Sequence, residues 1–208
     1  MDTSDDLLTR TYPGRRATLK RAILREALAC FNAQGIEAST IEMVRSAVDT
    51  SVGAIYHHFG NKEGLVAALF FAALDDQAAQ REAGLQGAES AEDGVRALVR
   101  SYVDWVTAEP EWARFQFQAR FQVASGPHGE ALAQRNRTRN HSLLGWFASP
   151  ERRAALRKLP PELVASLVIG PAESYCRAWL SGRVQGNPQL HRDALADAAW
   201  RAVGRDEA

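Results

Sequence analysis

The chain has 208 residues, of which 46% are hydrophobic and 24% are charged, and its formal net charge at pH 7 is zero. This length suits one or two globular domains. Because the net charge is zero, the overall charge does not indicate a polyanionic partner. The longest apolar run, residues 65–74, is about half as long as a bilayer-spanning helix. The acidic start differs from a secretory signal peptide, so we expect a cytoplasmic protein.

Helical periodicity dominates the chain, because no segment alternates polar and apolar residues for long enough to predict a strand. Three short helices are predicted first, followed by about six longer ones. Including capping residues, the predicted helices span 17–33, 40–47, 51–58, 62–81, 95–106, 111–125, 128–148, 161–183 and 188–203. Residues 84–93 are predicted to be a polar link. Pro171 is expected to kink or break its helix, because proline has no backbone donor.

The first quarter of the chain contains a candidate helix-turn-helix. Residues 9–62 hold eight basic and four acidic side chains, a modest positive bias. The two helices at 40–47 and 51–58, separated by a three-residue turn, have the proportions of this motif. Val44, Val48 and Ile55 are predicted to pack between them, and Phe59 is predicted to close the unit against Phe31 and Ile23 of the first helix. In such a unit the second helix enters the major groove of DNA with its N-terminus first.

Residues 35–65, GIEASTIEMVRSAVDTSVGAIYHHFGNKEGL, carry this unit and closely resemble the DNA-binding signature of the TetR family of transcriptional regulators. The resemblance rests on fixed spacings, from Phe31, Gly35 and Thr40 through the SxGxIYxHF pattern to the Asn-Lys-Glu that follows. It implies a homodimeric, ligand-responsive regulator with a three-helix reading head and a divergent all-α effector domain.

The resemblance also implies roles for individual residues. The residues implied to contact DNA phosphates, through groups that donate to phosphate oxygens, are Thr40, Tyr56, His58 and Lys62. Lys62 has the N-terminal dipole of its own helix behind it. The residues implied to contact bases are Val52, Gly53, Ala54 and His57. Since valine and alanine cannot form bidentate hydrogen bonds, thymine-methyl contacts and DNA shape are expected to carry much of the specificity.

Two positions depart from the family pattern. Arg45 stands where a small residue is usual and is expected to point outward. Asp49 stands where glycine is usual, so it is expected to adopt a left-handed conformation at an expense of about 1 kcal/mol. Ahead of the motif, Arg10, Arg15 and Arg16 form either an arm that reaches DNA or an ordinary solvated terminus.

Other chemistry is not indicated by this region. Neighbouring helical residues such as His57 and His58 point about 100° apart and cannot chelate one ion, and no further ligand at helical spacing completes a zinc set. Catalysis would need a base, an orienting partner and a nucleophile in one cleft. We therefore expect no metal, no cofactor and no enzymatic activity. Cys30 and Cys176 are expected to be buried thiols in a reducing cytoplasm, and helical packing without DNA binding remains an alternative.

The region beyond residue 100 holds all five tryptophans. Some aromatic side chains are expected to line an effector cavity, since ligand pockets are mostly apolar with a few polar anchors. The alternative is ordinary core packing. The candidate pocket residues are Trp105, Trp112, Phe115, Phe121, His141, Trp146 and Tyr175.

By the same resemblance, the last two helices pack against their symmetry mates as a four-helix dimer interface. The candidate interface residues are Leu167, Ile169, Trp179, Leu195 and Ala199. The alternative is a purely intramolecular helical hairpin.

These expectations describe a cytoplasmic, all-α transcriptional repressor. Its predicted parts are a flexible N-terminal arm at 1–16, a helix-turn-helix DNA-binding domain at 17–62, and a larger ligand-binding and dimerisation domain at 63–208. The predicted homodimer leaves a palindromic double-stranded DNA operator when it binds a small apolar or amphipathic effector. The rival hypothesis is a helical small-molecule-binding protein, or an enzyme, whose helix-turn-helix no longer binds DNA.

Overall fold

A computed structural model describes residues 6–205. These residues form helices, and their extended structure is limited to one antiparallel bridge between Leu156 and Gly204. The α-helices are α1 (Leu7–Thr11), α2 (Thr18–Gln34), α3 (Ile41–Val48), α4 (Val52–Phe59), α5 (Lys62–Gln86), α6 (Ala91–Ala108), α7 (Pro110–Ser125), α8 (Gly129–Trp146), α9 (Pro150–Ala154), α10 (Pro161–Leu180) and α11 (Arg192–Val203). Two 3-10 helices cover Arg15–Ala17 and Pro188–His191. The all-α prediction is confirmed.

Local hydrogen bonds explain where the N-terminal helices begin. The hydroxyls of Thr40 and Ser51 accept hydrogen bonds from the backbone amides three residues ahead, at 3.2 and 3.1 Å. The side-chain oxygen of Asn61 accepts in the same way at 2.7 Å, at the start of α5. Each cap satisfies one of the amides that a helix N-terminus leaves unpaired. The three caps expected from the sequence are therefore present.

Several helix boundaries differ from the prediction. The α5 helix continues to Gln86 and α6 already begins at Ala91, so most of the predicted link at 84–93 is helical. A reciprocal capping box between Ser90 and Asp93 starts α6. A kink or a break is expected at Pro171; the break does not occur, because α10 continues through this residue, and the kink stays a prediction. Its neighbours Val168 and Ala172 are buried, and their packing stabilises the helix across the proline.

The chain forms two compact units. The first unit contains residues up to Asp76 together with Glu111–Asn136. Within it the rings of Phe31 and Phe115 stack at 5.8 Å. Its fully buried side chains include Ile23, Leu24, Phe31, Val44, Ile55, Leu65, Leu69 and Phe115. We call α2–α4 of this unit the reading head.

The N-terminal segment, which we define as residues 6–17, is folded where a flexible arm was expected. Leu7 and Leu8 of α1 are 0% and 1% exposed. The guanidinium of Arg10 donates two hydrogen bonds to the carboxylate of Asp76, at 2.8 and 3.1 Å. Burial of two leucines and an ion pair with a residue far along the chain therefore hold this segment in the first unit.

The second unit contains Gln77–Pro110 and the residues from Arg137 onward. In it α6, α10 and α11 pack against one another. A side chain at Gly94 of α6 would overlap the ring of Trp146, so the tryptophan requires a glycine there. Burial raises the pKa of the Cys176 thiol to about 12, which keeps it protonated and unreactive. The predicted functional division at residues 62 and 63 stays a prediction, since these units divide inside α5.

Across residues 6–205, we find no helix that combines the length and the apolar character required to cross a lipid bilayer.

Candidate nucleic-acid interface

Helices α3 and α4 form the predicted helix-turn-helix. Val44 and Ile55 are each 1% exposed, Phe59 is buried, and Val48 is half-buried. Between the helices, Asp49 has φ 53° and ψ 52°, the left-handed conformation expected from its replacement of glycine. This turn directs α4 away from α3, and the burial of Ile55 and Phe59 fixes which face of α4 remains outside.

The outer face of α4 carries polar side chains that the fold does not use. Tyr56 is 49% exposed, and within residues 6–205 its hydroxyl makes no hydrogen bond. His57 and His58 are also exposed, with ring centres 5.5 Å apart. Their donors are therefore available to a partner outside the unit.

Gly53 lies on the same exposed side of α4. A Cβ placed there would lie 3.8 Å from the Ser51 hydroxyl and would otherwise meet only open space. A glycine inside a helix is less favourable than alanine by about 1 kcal/mol. Packing inside the protein gives no reason for this glycine, so a close approach by an external partner is the remaining physical reason. Val52 and Ala54 on either side are half-buried.

Thr40 and Lys62 flank the recognition helix. The Thr40 hydroxyl oxygen is occupied as the cap of α3, while its hydrogen remains available to donate. The Lys62 ammonium donates to the carbonyl of Glu37 at 3.1 Å. Because an ammonium has three donors, this contact positions Lys62 and still leaves it capacity for a phosphate.

The basic residues around the head differ in how they are engaged. Arg45 is paired with Glu42 at 2.6 Å on the surface of α3, as the expectation of an outward side chain requires, and this hydrogen bond raises the pKa of its guanidinium. Arg15 and Arg16 are exposed, whereas Arg10 is bonded to Asp76.

Ser51, which the sequence predicts only as a helix cap, is also placed to contact a partner. Its hydroxyl is exposed and lies directly before α4, beside the amides at the N-terminus of that helix. A serine at this position adds a donor to those amides, and its place immediately before the recognition helix was the available signal.

The chemistry of this surface suits binding. Donors from hydroxyl, phenol, imidazole and ammonium groups surround a helix face opened by a glycine. Among residues 6–205, no group of three or more His, Cys, Asp or Glu side chains is placed to hold a metal ion.

A family model described as "Bacterial regulatory proteins, tetR family" matches residues 23–69, which include α3 and α4. Residues 23–69 of the chain are therefore similar to the DNA-binding region of this family. The resemblance expected from the sequence is thereby confirmed.

Two curated relatives share this N-terminal region. The chain is 29% identical over 115 residues to the HTH-type transcriptional repressor AcnR of Corynebacterium efficiens, covering 54% of each chain. It is 31% identical over 104 residues to the HTH-type transcriptional repressor Rv1474c of Mycobacterium tuberculosis, covering 47% of this chain and 51% of the relative. The chain spans about half the length of the curated relatives it matches.

Solved structures extend the likeness to the whole fold. A TetR family transcription regulator from Marinobacter aquaeolei VT8 aligns with a TM-score of 0.77 at 19% identity, covering 92% of this chain and 98% of that one. A bacterial regulatory protein of the tetR family from Rhodococcus RHA1 aligns with a TM-score of 0.74 at 21% identity, covering 91% and 99%. At these identities the alignments show a shared fold.

The seven aromatic and histidine candidates for the effector pocket are divided between the two units. Trp112, Phe115 and Phe121 belong to the first unit, and the other four belong to the second. Trp105 and Phe115 are fully buried, whereas Phe121 is 82% exposed. The remaining second-unit candidates are an exposed His141 and half-buried Trp146 and Tyr175.

Trp146 and Tyr175 have defined neighbours. The guanidinium of Arg152 lies 3.8 Å from the Trp146 ring centre, and the Tyr175 hydroxyl donates to the Gly186 carbonyl at 3.2 Å. Two surface cavities, of about 490 and 430 Å³, lie elsewhere, and none of the seven candidates lines either one. Their role in effector binding stays a prediction.

The predicted interface residues lie on α10 and α11. Ala199 is 1% exposed and already packs inside the second unit. Leu167, Ile169, Trp179 and Leu195 are half-buried, and Leu163 on α10 is 42% exposed. A Cβ at Gly170 of α10 would meet nothing within 4 Å. Another chain can therefore approach the backbone of α10 closely at this position.

Proposed function

We propose that this protein is a sequence-specific, DNA-binding transcriptional regulator that acts in the cytoplasm as a homodimeric repressor. The observation that carries the proposal is the outer face of α4, where Gly53 and the donors of Tyr56 and His58 have no use inside the fold. The relatives AcnR and Rv1474c are named as transcriptional repressors, which supports repression as the direction of control.

The proposed contacts follow from exposure and chemistry. Tyr56, His58, Thr40 and Lys62 donate to phosphates on either side of the groove, and they set the register of α4. Gly53 lets the backbone of α4 approach the base edges, with Val52, Ala54 and His57 beside it. The two aliphatic side chains read thymine methyl groups by apolar contact. Ser51 adds a phosphate contact at the helix N-terminus.

A second copy of the chain completes the regulator. The half-buried Leu167, Ile169 and Trp179 of α10, the open surface at Gly170, and Leu195 of α11 are the surfaces that we assign to the symmetric interface. Ala199 instead stabilises the second unit from inside. Two-fold symmetry then presents two copies of α4 about 34 Å apart to successive major grooves, so the operator is palindromic.

A small apolar or amphipathic effector controls release from the operator. The effector can shift the equilibrium between the DNA-binding and released states only by the difference between its binding free energies for them, typically about 1–3 kcal/mol. Contact of the effector with the half-buried Trp146 changes tryptophan emission. A compound that releases DNA and leaves that emission unaltered would locate the effector away from the tryptophans.

Selection of an operator from random double-stranded DNA by the purified protein, at low salt and without added ligand, tests the proposal. We expect enrichment of a palindrome, and two protein chains per operator in sedimentation. A variant with Tyr56→Ala and Lys62→Ala together is the matched control, since both side chains lie at the surface of the reading head.

The rival function is a helical small-molecule-binding protein, or an enzyme, with a head that no longer binds DNA. Failure of the folded wild-type protein to enrich any sequence would favour that rival over the regulator. A monomer in sedimentation would overturn the proposed interface and favour an intramolecular hairpin of α10 and α11.

A further inference from the structure

A surface cleft of about 430 Å³ lies within the first unit, beside the reading head. Its floor is one face of α5, formed by Ala67, Ala68, Phe71 and Ala72. Its rim is polar and includes Tyr12 and Arg135. An apolar floor with a few convergent polar groups is the usual composition of a small-molecule site, and the volume lies in the range of about 300–1,000 Å³ that such sites occupy.

Arg135 gives the cleft a cationic end. Its guanidinium lies 4.4 Å from the centre of the Phe71 ring, and its Nε lies 3.5 Å from a carboxylate oxygen of Asp75. That Nε is buried, yet among residues 6–205 it has no hydrogen-bond acceptor. A buried donor without an acceptor is unfavourable. The half-buried His128 lies on the same rim and can add a second donor.

Tyr12 forms a wall of the cleft, and two contacts hold it in place. The guanidinium of Arg21 donates to its backbone carbonyl at 2.6 Å, and the ammonium of Lys20 lies 4.0 Å from its ring centre. Burial and the nearby Asp75 raise the pKa of its phenol, so the hydroxyl stays neutral at physiological pH. The wall therefore offers an aromatic face and a protonated hydroxyl, and it adds no negative charge.

We propose that this cleft binds a small aromatic monocarboxylate, with its ring against the α5 floor and Tyr12 and its carboxylate at Arg135. The planar guanidinium matches a carboxylate in a bidentate arrangement. Asp75 beside it opposes any negative charge in the cleft, and it opposes a dianion such as a phosphate monoester more strongly than a monocarboxylate. One negative charge on an aromatic body matches the apolar floor, the aromatic wall and the cationic end of the cleft together.

The position of the cleft deepens the proposed function, because it assigns a ligand to the unit that carries the reading head. Gly64, in the first turn of α5, lines the cleft only two residues after Lys62. Thr11 and Tyr12 line the cleft next to Arg10, which is bonded to Asp76 of the same helix. A bound ligand thus contacts α5 close to a proposed phosphate contact, and this regulatory role rests on the proposed function.

Binding of 2-naphthoate to the full-length protein, measured by calorimetry without DNA, tests the site directly. We expect 2-naphthamide, which lacks the charge, to bind at least tenfold more weakly. Arg135→Met keeps an aliphatic side chain on Phe71 and should weaken 2-naphthoate binding at least tenfold. Ala68→Leu fills the floor at a half-buried helical position and should do the same. The matched control is Arg100→Gln, which removes an arginine paired with Asp193 in the second unit and should bind like the wild type.

Thermal unfolding of each variant establishes that it is folded. Folded Arg135→Met and Ala68→Leu proteins that bind 2-naphthoate like the wild type would overturn the site, and equal binding of the amide would overturn the assigned chemistry. Absence of any 2-naphthoate binding by the wild type would also overturn it. None of these measurements involves DNA, so a failed operator selection and a failed ligand site are separate results.

Discussion

Gly53 of α4 and Gly94 of α6 both lie inside helices, where glycine is unfavourable, but their surroundings are opposite. A Cβ at Gly94 would overlap the Trp146 ring, so that glycine is explained by packing within the second unit. A Cβ at Gly53 would meet only the Ser51 hydroxyl, at an ordinary contact distance of 3.8 Å. A residue that the fold does not require is better explained by what approaches it from outside.

The polar residues of the two units show the same contrast. In the second unit, arginines on α6 and α11 are bonded to carboxylates: Arg96 to Glu92 and Asp197, and Arg192 to Asp104 at 2.9 Å. On the outer face of α4, Tyr56 has no such bond among the described residues. Charges that are satisfied internally stabilise a fold, whereas exposed donors with no internal partner are the better candidates for recognition.

The glycine pair gives the largest expected effects. Gly53→Leu should weaken operator binding by about 2 kcal/mol per half-site, the size of a disrupted base contact, and should leave the free energy of unfolding unchanged or slightly raised. Gly94→Ala should lower the free energy of unfolding by about 1–3 kcal/mol through overpacking, with unchanged operator affinity for the folded fraction. Urea denaturation and operator titration measure both quantities. A Gly53→Leu protein with lowered stability and wild-type operator affinity would show that Gly53 serves packing and not DNA binding.

Substitutions of two tyrosines test the same contrast, because each removes one hydroxyl group. Tyr56→Phe should weaken operator binding by about 0.5–1.5 kcal/mol per head, the value of a neutral hydrogen bond, without changing stability. Tyr175→Phe removes the hydroxyl that donates to Gly186, so it should lower stability by a similar amount and leave DNA binding intact. Full operator affinity in the Tyr56→Phe protein would remove its hydroxyl from the phosphate contacts.

Substitutions of Lys62 and Arg100 compare a proposed phosphate contact with a cation that is paired inside the second unit. Lys62→Ala should weaken binding to any DNA sequence and reduce the slope of log affinity against log salt by about one unit per head, because one phosphate contact releases about one counterion. Arg100→Gln, which breaks the pair with Asp193, should leave that slope unchanged. Titrations at several salt concentrations measure the slopes. Equal slopes for Lys62→Ala and the wild type would indicate that Lys62 makes no phosphate contact and donates only to the Glu37 carbonyl.

The cap of α6 gives the smallest expected effect. Hydrogen bonds from Ser90 hold the pKa of Asp93 below its usual range. The stabilisation is therefore fully present above the ordinary aspartate pKa of about 3.9 and is lost as the pH falls through the lower folded value. Ser90→Ala should lower stability at neutral pH by about 0.5–1 kcal/mol. In urea denaturation this difference should shrink below about pH 4, and a pH-independent difference would exclude Asp93 as its source.

Locally determined features were predictable from the sequence. Thr40, Ser51 and Asn61 cap their helices through bonds to amides three residues away, so a short stretch of sequence specifies each start. The left-handed conformation of Asp49 was also expected, because the turn geometry imposes it on any residue at that position. The exposed face of α4 follows from the burial of Ile55 four residues before Phe59.

Long-range features were not predictable in this way. The helix at Leu7–Thr11 is too short to show periodicity, and the burial of Leu7 depends on surfaces formed far along the chain. The bond between Arg10 and Asp76 joins residues 66 positions apart. Both features depend on residues far apart in the sequence, so the local sequence predicts a free arm.

That N-terminal segment has a practical consequence for building chimeric regulators. A reading head transplanted from residue 17 onward would lack the two buried leucines of α1 and the Arg10 bond to α5, and would expose apolar surface that promotes aggregation. A portable head should therefore begin no later than Asp6, whose side chain caps α1. It should also retain α5 through Asp76, so that the chimera keeps both ends of that bond.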